Sequence, residues 1–209
     1  MVNPVMSQNP HFYLASSSPR RKELLQQLQV DFSCLDSQID ESRQSNESPY
    51  EYVKRMAEMK AQAGWHHPQR KLKLPVIGAD TSIAMDNDII GKPENDQHAV
   101  QILHQLSGGS HEVLTAVSVF NDKQELHCLN ISEVSFRELT TAEIETYVHT
   151  GEPRDKAGAY AIQGLGALFV SHLRGSYSGV MGLPLFETAE LLARMGVNIM
   201  ECTKNLNHG

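Results

Sequence analysis

The stretch that decides the fold class is residues 12–25, FYLASSSPRRKELL in one-letter code. Its apolar start predicts a short strand, its three serines predict a turn, and its end predicts a helix. Ser18 is suited to the N-cap of that helix, and Pro19 to its first position. Arg20 and Arg21 would then lie at the positive end of the helix dipole, where each cation is disfavoured by roughly 0.3–1 kcal/mol. Either the two guanidinium groups are solvated at the surface, or they bind an anion such as phosphate at this helix start.

Beyond this stretch, strands and helices continue to alternate, which predicts an α/β fold. Strands are predicted at 30–35, 75–85, 112–120, 125–137 and 167–173, and helices at 49–64, 95–106, 141–150 and after 184. Capping boxes begin two of these helices, at Ser48 and Thr140, and Gly64 is expected to cap the end of the first. The two long strands around the turn at Asn121 are expected to pair antiparallel. We therefore predict a mixed twisted sheet flanked by helices.

Length and charge limit the classes of function. The 209 residues are enough for one domain with a sizeable core, and we expect a single domain over 1–209 with flexible tails at 1–10 and 203–209. A net charge of −7 argues against a nucleic-acid partner, which needs a basic surface. No apolar run approaches the ~20 residues of a membrane span, and the N-terminus lacks signal-peptide features. These observations predict a cytoplasmic protein with no membrane partner. The three cysteines are expected to be reduced, because none has Cys-x-x-Cys spacing.

Two residues conflict with their local pattern. Asp80 lies in the apolar segment 76–84, where a buried carboxylate without a partner would be costly. It either reaches water at a strand end, or it holds a divalent cation or activates water. Lys60 falls on the apolar stripe of the helix 49–64, seven residues after Val53 and four after Met56. Its ammonium group either extends from the core face to solvent or points into a cleft toward phosphate or carboxylate.

Four further polar residues are weaker candidates. Lys92 precedes Pro93, which restricts it to extended geometry and fixes its direction. Asp40 and Glu41 are adjacent acids in a polar stretch, and the residues alone favour simple solvation for both. Gln163 lies in a glycine-rich segment, and its amide could pair with the edge of a nucleobase or face water.

The set of candidates favours one class of chemistry. No Gly-x-Ser-x-Gly or P-loop signature is present, and the serines at 16–18 have no evident histidine partner. Cations that hold phosphates and a carboxylate that directs water suit metal-assisted attack on a phosphoanhydride. The expected cofactor is a divalent cation, Mg²⁺ or Mn²⁺.

Several sequence blocks resemble one known family in the same order along the chain. They are Leu14-Ala15-Ser16-Ser17-Ser18-Pro19-Arg20-Arg21, Gly78-Ala79-Asp80-Thr81, Gly91-Lys92-Pro93, Leu106-Ser107-Gly108, Gly151-Glu152-Pro153, Asp155-Lys156-Ala157-Gly158-Ala159-Tyr160, and Gly175-Ser176-Tyr177 followed by Gly182-Leu183-Pro184. Over residues 12–195 the chain resembles the Maf family of nucleoside triphosphate pyrophosphatases. Two positions depart from the pattern: Ala161 replaces a usual glycine, and Gly179 stands where a polar residue is commoner.

The resemblance implies an α/β fold similar to inosine triphosphate pyrophosphatase, with two lobes around a central cleft. It also implies hydrolysis of a nucleoside triphosphate to the monophosphate and pyrophosphate. By position, Asp80 resembles the family's general base, and Glu41 resembles an acidic position that helps Asp80 to hold the metal. Lys60 and Lys92 take catalytic positions on the phosphate side. The remaining matched positions bind substrate, and they are Ser16, Arg20, Arg21, Thr81 and Gln163.

The resemblance also implies a substrate and a cellular role. Thr81 and Gln163, together with Arg20, resemble the branch of the family that acts on dTTP and UTP, with modified pyrimidine analogues as further candidates. Such an enzyme would keep unsuitable nucleotides out of RNA and DNA. Two alternatives remain, a 7-methyl-GTP pyrophosphatase of the same family and a non-catalytic nucleotide-binding regulator of septum formation acting in cell-division arrest. A homodimer is expected from the resemblance alone.

Overall fold

A computed structural model describes residues 9–203 of the chain. The predicted flexible tails fall almost entirely outside the described residues. The helices are α1 Pro19–Gln27, α2 Pro49–Trp65, α3 Asp96–Leu106, α4 Thr141–His149, α5 Tyr177–Val180, α6 Leu185–Arg194 and α7 Ile199–Cys202. The strands are β1 Phe12–Ala15, β2 Phe32–Leu35, β3 Val76–Met85, β4 Asp88–Ile90, β5 Ser110–Phe120, β6 Glu125–Phe136 and β7 Val170–Arg174. Within residues 9–203, no helix is long and apolar enough to cross a membrane.

The strands form one sheet in the order β2-β1-β3-β5-β6-β7, with β4 paired to the end of β3. β1 is parallel to β2 and β3, whereas β3, β5, β6 and β7 pair antiparallel in turn. The predicted mixed sheet is confirmed, and so is the antiparallel pairing of the two long strands. β1 pairs with β3 only from Tyr13↔Val76 to Ala15↔Gly78. The carboxyl end of β1 therefore opens beside the middle of β3, which is where ligand crevices form in such sheets.

Two large hydrophobic cores support the two sides of a cleft. One core joins β1 and β2 to α1 and α6, and Leu24 and Leu25 bury the inner face of α1 in it. The other joins α3, α4 and the far end of β3 to Tyr160 and Phe169. Since each core fixes one wall, the start of α1 and the segment 157–164 face each other across an open cavity.

Helix α2 covers the sheet and differs from expectation at its end. Both predicted capping boxes, at Ser48 and Thr140, are present. The predicted cap at Gly64 is wrong, because α2 continues to Trp65 and His66 takes the C-cap position. Gly64 is buried instead, and a Cβ there would collide with the side chains of Ala15 and Val76. The glycine allows α2 to pack closely on β1 and β3, and this close packing directs the inner face of α2 toward the cleft.

The segment before β7 also differs from expectation. Residues 167–169, predicted as the beginning of a strand, belong to the 3-10 turn Leu165–Phe169, and β7 begins at Val170. Tertiary contact decides this segment, because Phe169 is buried and packs against the rings of Tyr147 and Phe136. A local pattern of apolar residues cannot distinguish such a turn from a short strand.

Candidate active site

A cavity of about 950 Å³ lies between the start of α1, the middle of β3 and the segment 157–164. Its size is at the upper end of the range for small-molecule sites. Every residue predicted from the sequence to belong to the site lines this cavity. They are Ser16, Arg20, Arg21, Glu41, Lys60, Asp80, Thr81, Lys92 and Gln163. Residues from six separate segments of the chain are therefore brought together in one place.

The start of α1 presents free backbone donors to the cavity. Ser18 takes the N-cap position, but its side chain makes no capping hydrogen bond, which differs from the expected cap. Ser16 lies two residues earlier, and its Oγ accepts a hydrogen bond from the Ser18 backbone N–H at 3.2 Å. Within residues 9–203, no side chain caps the N–H groups of the first turn. Such a helix start, with two arginines beside it, suits a bound anion.

Arg21 is fixed by three hydrogen bonds. Its Nε donates to the Gly182 carbonyl at 2.8 Å, and its two terminal nitrogens donate to Ser16 Oγ at 3.4 Å and Thr81 Oγ1 at 3.1 Å. Burial lowers the pKa of Arg21, while the nearby Asp80 and Glu41 carboxylates raise it. The guanidinium group remains charged at neutral pH and keeps two further N–H groups for a ligand.

Thr81 belongs to a chain of hydrogen bonds whose direction can be assigned. Thr115 is fully buried on β5, and its hydroxyl donates to the Gly179 carbonyl at 2.8 Å. Thr81 and Thr115 hydroxyl oxygens are 3.0 Å apart. Because the Thr115 hydrogen is already used, Thr81 must donate to Thr115, and its own oxygen accepts from Arg21. Thr81 thus orients Arg21, and its hydrogen is not available to a ligand in this arrangement.

Arg20, Gln163 and Lys92 lie along the rim of the cavity. Burial lowers the pKa of Arg20, while the nearby Glu152 and Glu23 carboxylates raise it. Arg20 therefore faces the Glu152 side of the cavity, while Arg21 is bonded toward β3. The two guanidinium groups serve different ends of the same cavity, a division that the sequence alone did not predict. Gln163 is exposed on the opposite wall, and Lys92 is exposed in the turn after β4.

Lys60 connects the two acids of the site. Its Nζ lies 2.7 Å from Asp80 Oδ1 and 2.7 Å from Glu41 Oε1. The side chains of Lys60 and Asp80 are only 11% and 13% exposed, whereas Glu41 is 53% exposed. Lys60 therefore points into the cavity toward the two carboxylates. Of the two interpretations of its place on the apolar stripe, this is the one in which the ammonium group enters a cleft. Burial raises the pKa of Glu41, but the hydrogen bond and charge of Lys60 lower it more, so that it lies below its usual value.

The segment that carries Glu41 is braced against α2. Tyr52 donates its hydroxyl hydrogen to the Glu41 carbonyl at 3.0 Å, and Arg55 donates to the Ser42 carbonyl at 3.1 Å. Arg55 also pairs with the buried Glu47 carboxylate at the end of the same segment. Burial and the charges of Asp80 and Glu41 raise the pKa of Tyr52 to about 12, so this hydroxyl keeps its proton. The brace holds Glu41 beside Lys60 although the segment contains no regular secondary structure.

Comparison with known proteins places this arrangement in a family. The sequence profile described as Maf-like protein matches residues 11–195. The chain belongs to the Maf-like protein family. One relative, a dTTP/UTP pyrophosphatase of Alkalilimnicola ehrlichii, is 53% identical over 88% of this chain and 92% of its own length. Another, a dTTP/UTP pyrophosphatase of Pseudoalteromonas atlantica, is 50% identical over 88% of this chain and 96% of its own length.

A solved structure is also similar to this Maf-like protein. The Ham1 protein of Staphylococcus aureus matches 60% of this chain and 71% of its own, with a TM-score of 0.41 and 14% sequence identity. This partial overlap carries no information about the site. The architecture of the Maf-like protein itself is the α/β fold with the mixed sheet that the sequence predicts.

Four residues around the cavity were not singled out from the sequence of the Maf-like protein. Glu152 lines the cavity and lies in the matching block Gly151-Glu152-Pro153, so its position in that block was an available signal. Tyr52 also lines the cavity, and it was concealed in the regular pattern of α2. Tyr147 and Thr115 are buried behind the cavity wall, and nothing in their local sequence distinguishes them from ordinary core residues.

Proposed function

We propose that this protein hydrolyses dTTP and UTP to the monophosphate and pyrophosphate, with a divalent cation as cofactor. Relatives named dTTP/UTP pyrophosphatase, about half identical over most of their length, support the substrate. The observation that carries the proposal is the position of Lys60 Nζ, 2.7 Å from both Asp80 and Glu41. It puts two carboxylates and a cation at one point of a cavity whose walls carry further cations.

The cationic residues are assigned to the triphosphate. Arg21 offers two N–H groups from a fixed guanidinium plane, and Ser16 lies within hydrogen-bond distance of it at the start of α1. Lys92 lines the same cavity. The Arg21 guanidinium and free backbone N–H groups are suited to phosphate oxygens, because their donors match the geometry of the anion. Lys60 contributes its charge where the chain of phosphates meets the two carboxylates.

Glu41 and Asp80 are assigned to the divalent cation. Both carboxylates converge on the Lys60 ammonium and keep further lone pairs, so these donors fit a metal ion bound beside Lys60. Among residues 9–203, no group of three or more His, Cys, Asp or Glu side chains is placed to hold a metal. Mg²⁺ is commonly held by one or two carboxylates together with substrate phosphates and water, which is the set available here. When bound, the ion would neutralise charge that develops on the leaving pyrophosphate.

Asp80 is assigned as the general base. Lys60 fixes one carboxylate oxygen, Oδ1, and we assign the other, Oδ2, to the attacking water. Asp80 takes a proton from this water as its oxygen bonds to phosphorus, and the anhydride bond between the α- and β-phosphates breaks. Pyrophosphate leaves with the electron pair of that bond, and the cations around the cavity stabilise it.

The nucleobase is assigned to the end of the cavity that holds Gln163 and Arg20. The Gln163 amide has both a donor and an acceptor, which can pair with the carbonyl and N–H of a uracil or thymine edge. Thr81 contributes indirectly, because its hydroxyl donates to Thr115, and its oxygen accepts from Arg21 and so orients that guanidinium group. The preference for pyrimidine nucleotides then depends on Gln163 and on the shape of the wall around it.

One panel of nucleotides tests the proposal. Pyrophosphate release is measured from UTP, dTTP and 7-methyl-GTP, with and without Mg²⁺ or Mn²⁺. We expect the highest kcat/KM for UTP and dTTP, and no release without the metal. A preference for 7-methyl-GTP would favour the other branch of the family. Binding of UTP without any release of pyrophosphate would favour a non-catalytic regulator.

The proposal extends to assembly and location. We propose that the chain is a single domain that forms a homodimer in the cytoplasm, with nucleoside triphosphate as its partner rather than nucleic acid or membrane. Light scattering on the purified protein tests the assembly, and the expected mass is twice the 23.3 kDa of one chain. A mass of one chain at micromolar concentration would contradict the homodimer.

A further inference from the structure

The segment 161–166, which carries Gln163, is held at both ends by two side chains behind it. At its start, the Tyr147 hydroxyl accepts a hydrogen bond from the Ala161 backbone N–H at 3.2 Å. At its end, the Glu152 carboxylate accepts from the backbone N–H groups of Leu165 at 3.0 Å and Gly166 at 3.1 Å. Tyr147 donates its own hydrogen to Glu152 Oε1 at 2.8 Å. The two side chains therefore form one connected clamp.

The protonation states of the clamp favour this arrangement. Burial raises the pKa of Glu152, but the N–H groups of Gly166 and Leu165 and the Tyr147 hydroxyl together lower it below its usual value. Burial and the Glu152 carboxylate raise the pKa of Tyr147. At neutral pH Glu152 is therefore an anion that only accepts, and Tyr147 keeps the hydrogen that it donates. Hydrogen bonds to an ionised group are about twice as strong as those between neutral groups.

The path of the backbone is adapted to this contact. A Cβ at Gly164 would collide with both oxygens of the Glu152 carboxylate. A Cβ at Gly166 would come within 3 Å of the Tyr147 hydroxyl and of the Ala161 backbone. Glycine at both positions allows the segment to close over the clamp. Gln163, between the two held ends, remains exposed toward the cavity.

The two members of the clamp differ in their access to substrate. Tyr147 is 4% exposed, does not line the cavity, and packs its ring against Phe169. It cannot touch a bound nucleotide. Glu152 lines the cavity, and its charge also acts on Arg20 across the cavity. An effect of Tyr147 on nucleotide binding would therefore have to pass through the segment that it holds.

We propose that Glu152 and Tyr147 are positioning residues that fix the amide of Gln163 and thereby set the affinity for the pyrimidine base. This inference rests on the proposed function, because it takes Gln163 to be the residue that contacts the base. On this inference, the preference for a nucleotide depends on the clamp as well as on Gln163, which contacts the base. Tyr147 and Glu152 affect binding of the base, and the chemical step at Asp80 is separate from them.

The experiment measures the Kd of UTP with Mg²⁺ by calorimetry in an Asp80→Asn background, in which turnover is expected to be slowed by a factor of roughly 10²–10⁴. Tyr147→Phe removes one hydroxyl and keeps the ring, and Glu152→Gln removes the charge and keeps the shape. Each is expected to raise the Kd about tenfold, the effect of losing roughly one hydrogen bond to a charged group. In the enzyme with Asp80 intact, KM for UTP should rise in parallel, and kcat should stay within about twofold.

The matched control is Glu143→Gln. Glu143, on α4, is likewise a carboxylate that accepts local hydrogen bonds, from Thr140 and Arg137, but it lies outside the cavity. Its Kd for UTP should equal that of the parent protein. Each variant is also combined with Gln163→Ala. Because the clamp acts through the Gln163 amide, neither clamp variant should raise the Kd further once that amide is absent.

Three outcomes would overturn the inference. The first is an unchanged Kd in both clamp variants. The second is a higher Kd for Glu152→Gln together with an unchanged Kd for Tyr147→Phe, which would mean that Glu152 contacts the nucleotide directly. The third is an equal increase with and without Gln163. If Tyr147→Phe does not fold, the Kd of UTP for Glu152→Gln, measured with and without Gln163→Ala, decides whether the inference holds. Absence of pyrophosphate release from the unsubstituted protein would instead contradict the proposed function, since the Kd measurements need no turnover.

Discussion

Replacement of Asp80 by asparagine tests the assignment of the general base most directly. Asparagine keeps the shape of the side chain and an oxygen that can accept from Lys60, but it cannot take a proton from water. General-base catalysis contributes roughly 10²–10⁴ to a rate, so kcat should fall by that factor, which corresponds to about 2.7–5.4 kcal/mol in the barrier. Binding of UTP should remain measurable, because the arginines at the start of α1 are unchanged.

The fold should tolerate the change at Asp80. Lys60 and Asp80 side chains are 11% and 13% exposed, and their 2.7 Å contact becomes a hydrogen bond to a neutral group. The loss is about 1–2 kcal/mol, because Lys60 keeps its contact with Glu41. For a chain of this size that corresponds to a decrease in Tm of about 2–8 °C. A much larger decrease would mean that the pair holds the fold together as well as the site.

Pyrophosphate release under single-turnover conditions gives the rate, and calorimetry gives the Kd of UTP. Asp40→Asn is the matched control, since Asp40 is an exposed acid beside Glu41 that accepts from the Ser42 N–H and does not line the cavity. It should keep the kcat of the unsubstituted enzyme. If Asp80→Asn retains a kcat within about threefold of that value, Asp80 is not the base and the reasoning from its place beside Lys60 is refuted.

Three further predictions concern the metal, the hydroxyl chain and pH. Glu41→Gln should raise the Mg²⁺ concentration for half-maximal activity about tenfold, with kcat recovered at saturating Mg²⁺, because one of two charged ligands is lost. Thr115→Val should lower stability by about 1–3 kcal/mol and raise KM for UTP, since the Gly179 carbonyl and the Thr81 hydroxyl both lose a partner. Burial lowers the pKa of His111 from 6.5 to about 4. As pH falls, His111 therefore binds a proton in the unfolded chain before it does so in the folded chain. The free energy of unfolding should therefore decrease by about 2 kcal/mol from pH 7 to pH 5 through this group, and His111→Phe should remove that part of the decrease.

Each of these has a control and a contradicting result. Unchanged Mg²⁺ dependence in Glu41→Gln would exclude that carboxylate from the metal site. Thr115→Ser keeps the hydroxyl and should restore KM, so equal losses in the serine and valine variants would contradict the hydroxyl chain. Urea titrations at several pH values measure the His111 effect. An identical slope with pH in His111→Phe would mean that other groups cause the decrease.

Much of the fold follows from local patterns. The capping boxes at Ser48 and Thr140 mark two helix starts, because a side chain that satisfies free N–H groups acts within four residues. The long strands β5 and β6 are recognisable since the turn between them is short. Gly64 is misjudged because its reason is distant in sequence. A glycine near the end of a helix is typical of a cap, but here Ala15 and Val76 leave no room for a side chain.

The candidate site is predictable in its members but less so in its arrangement. The conflict between Lys60 and its apolar stripe identifies it as a residue of interest. Only the packing of α2 on β3 brings its ammonium group to Asp80, twenty residues away. The arginine pair is another example. Helix physics predicts an anion near Arg20 and Arg21, but the carbonyl of Gly182 and the Thr81 hydroxyl decide that Arg21 turns toward β3.

By itself the sequence determined the alternating strands and helices, the family and nine of the residues that line the cavity. Residue type and spacing carry the strands and helices, and the order of the matching sequence blocks carries the family and positions such as Glu41. The tertiary structure alone decided which hydroxyl donates to which, that Thr81 orients Arg21, and that Tyr147 and Glu152 hold the segment of Gln163. Hydrogen-bond direction and burial depend on neighbours that are remote in sequence. A buried tyrosine such as Tyr147 therefore has the pattern of any core residue until the fold places Ala161 and Glu152 beside it.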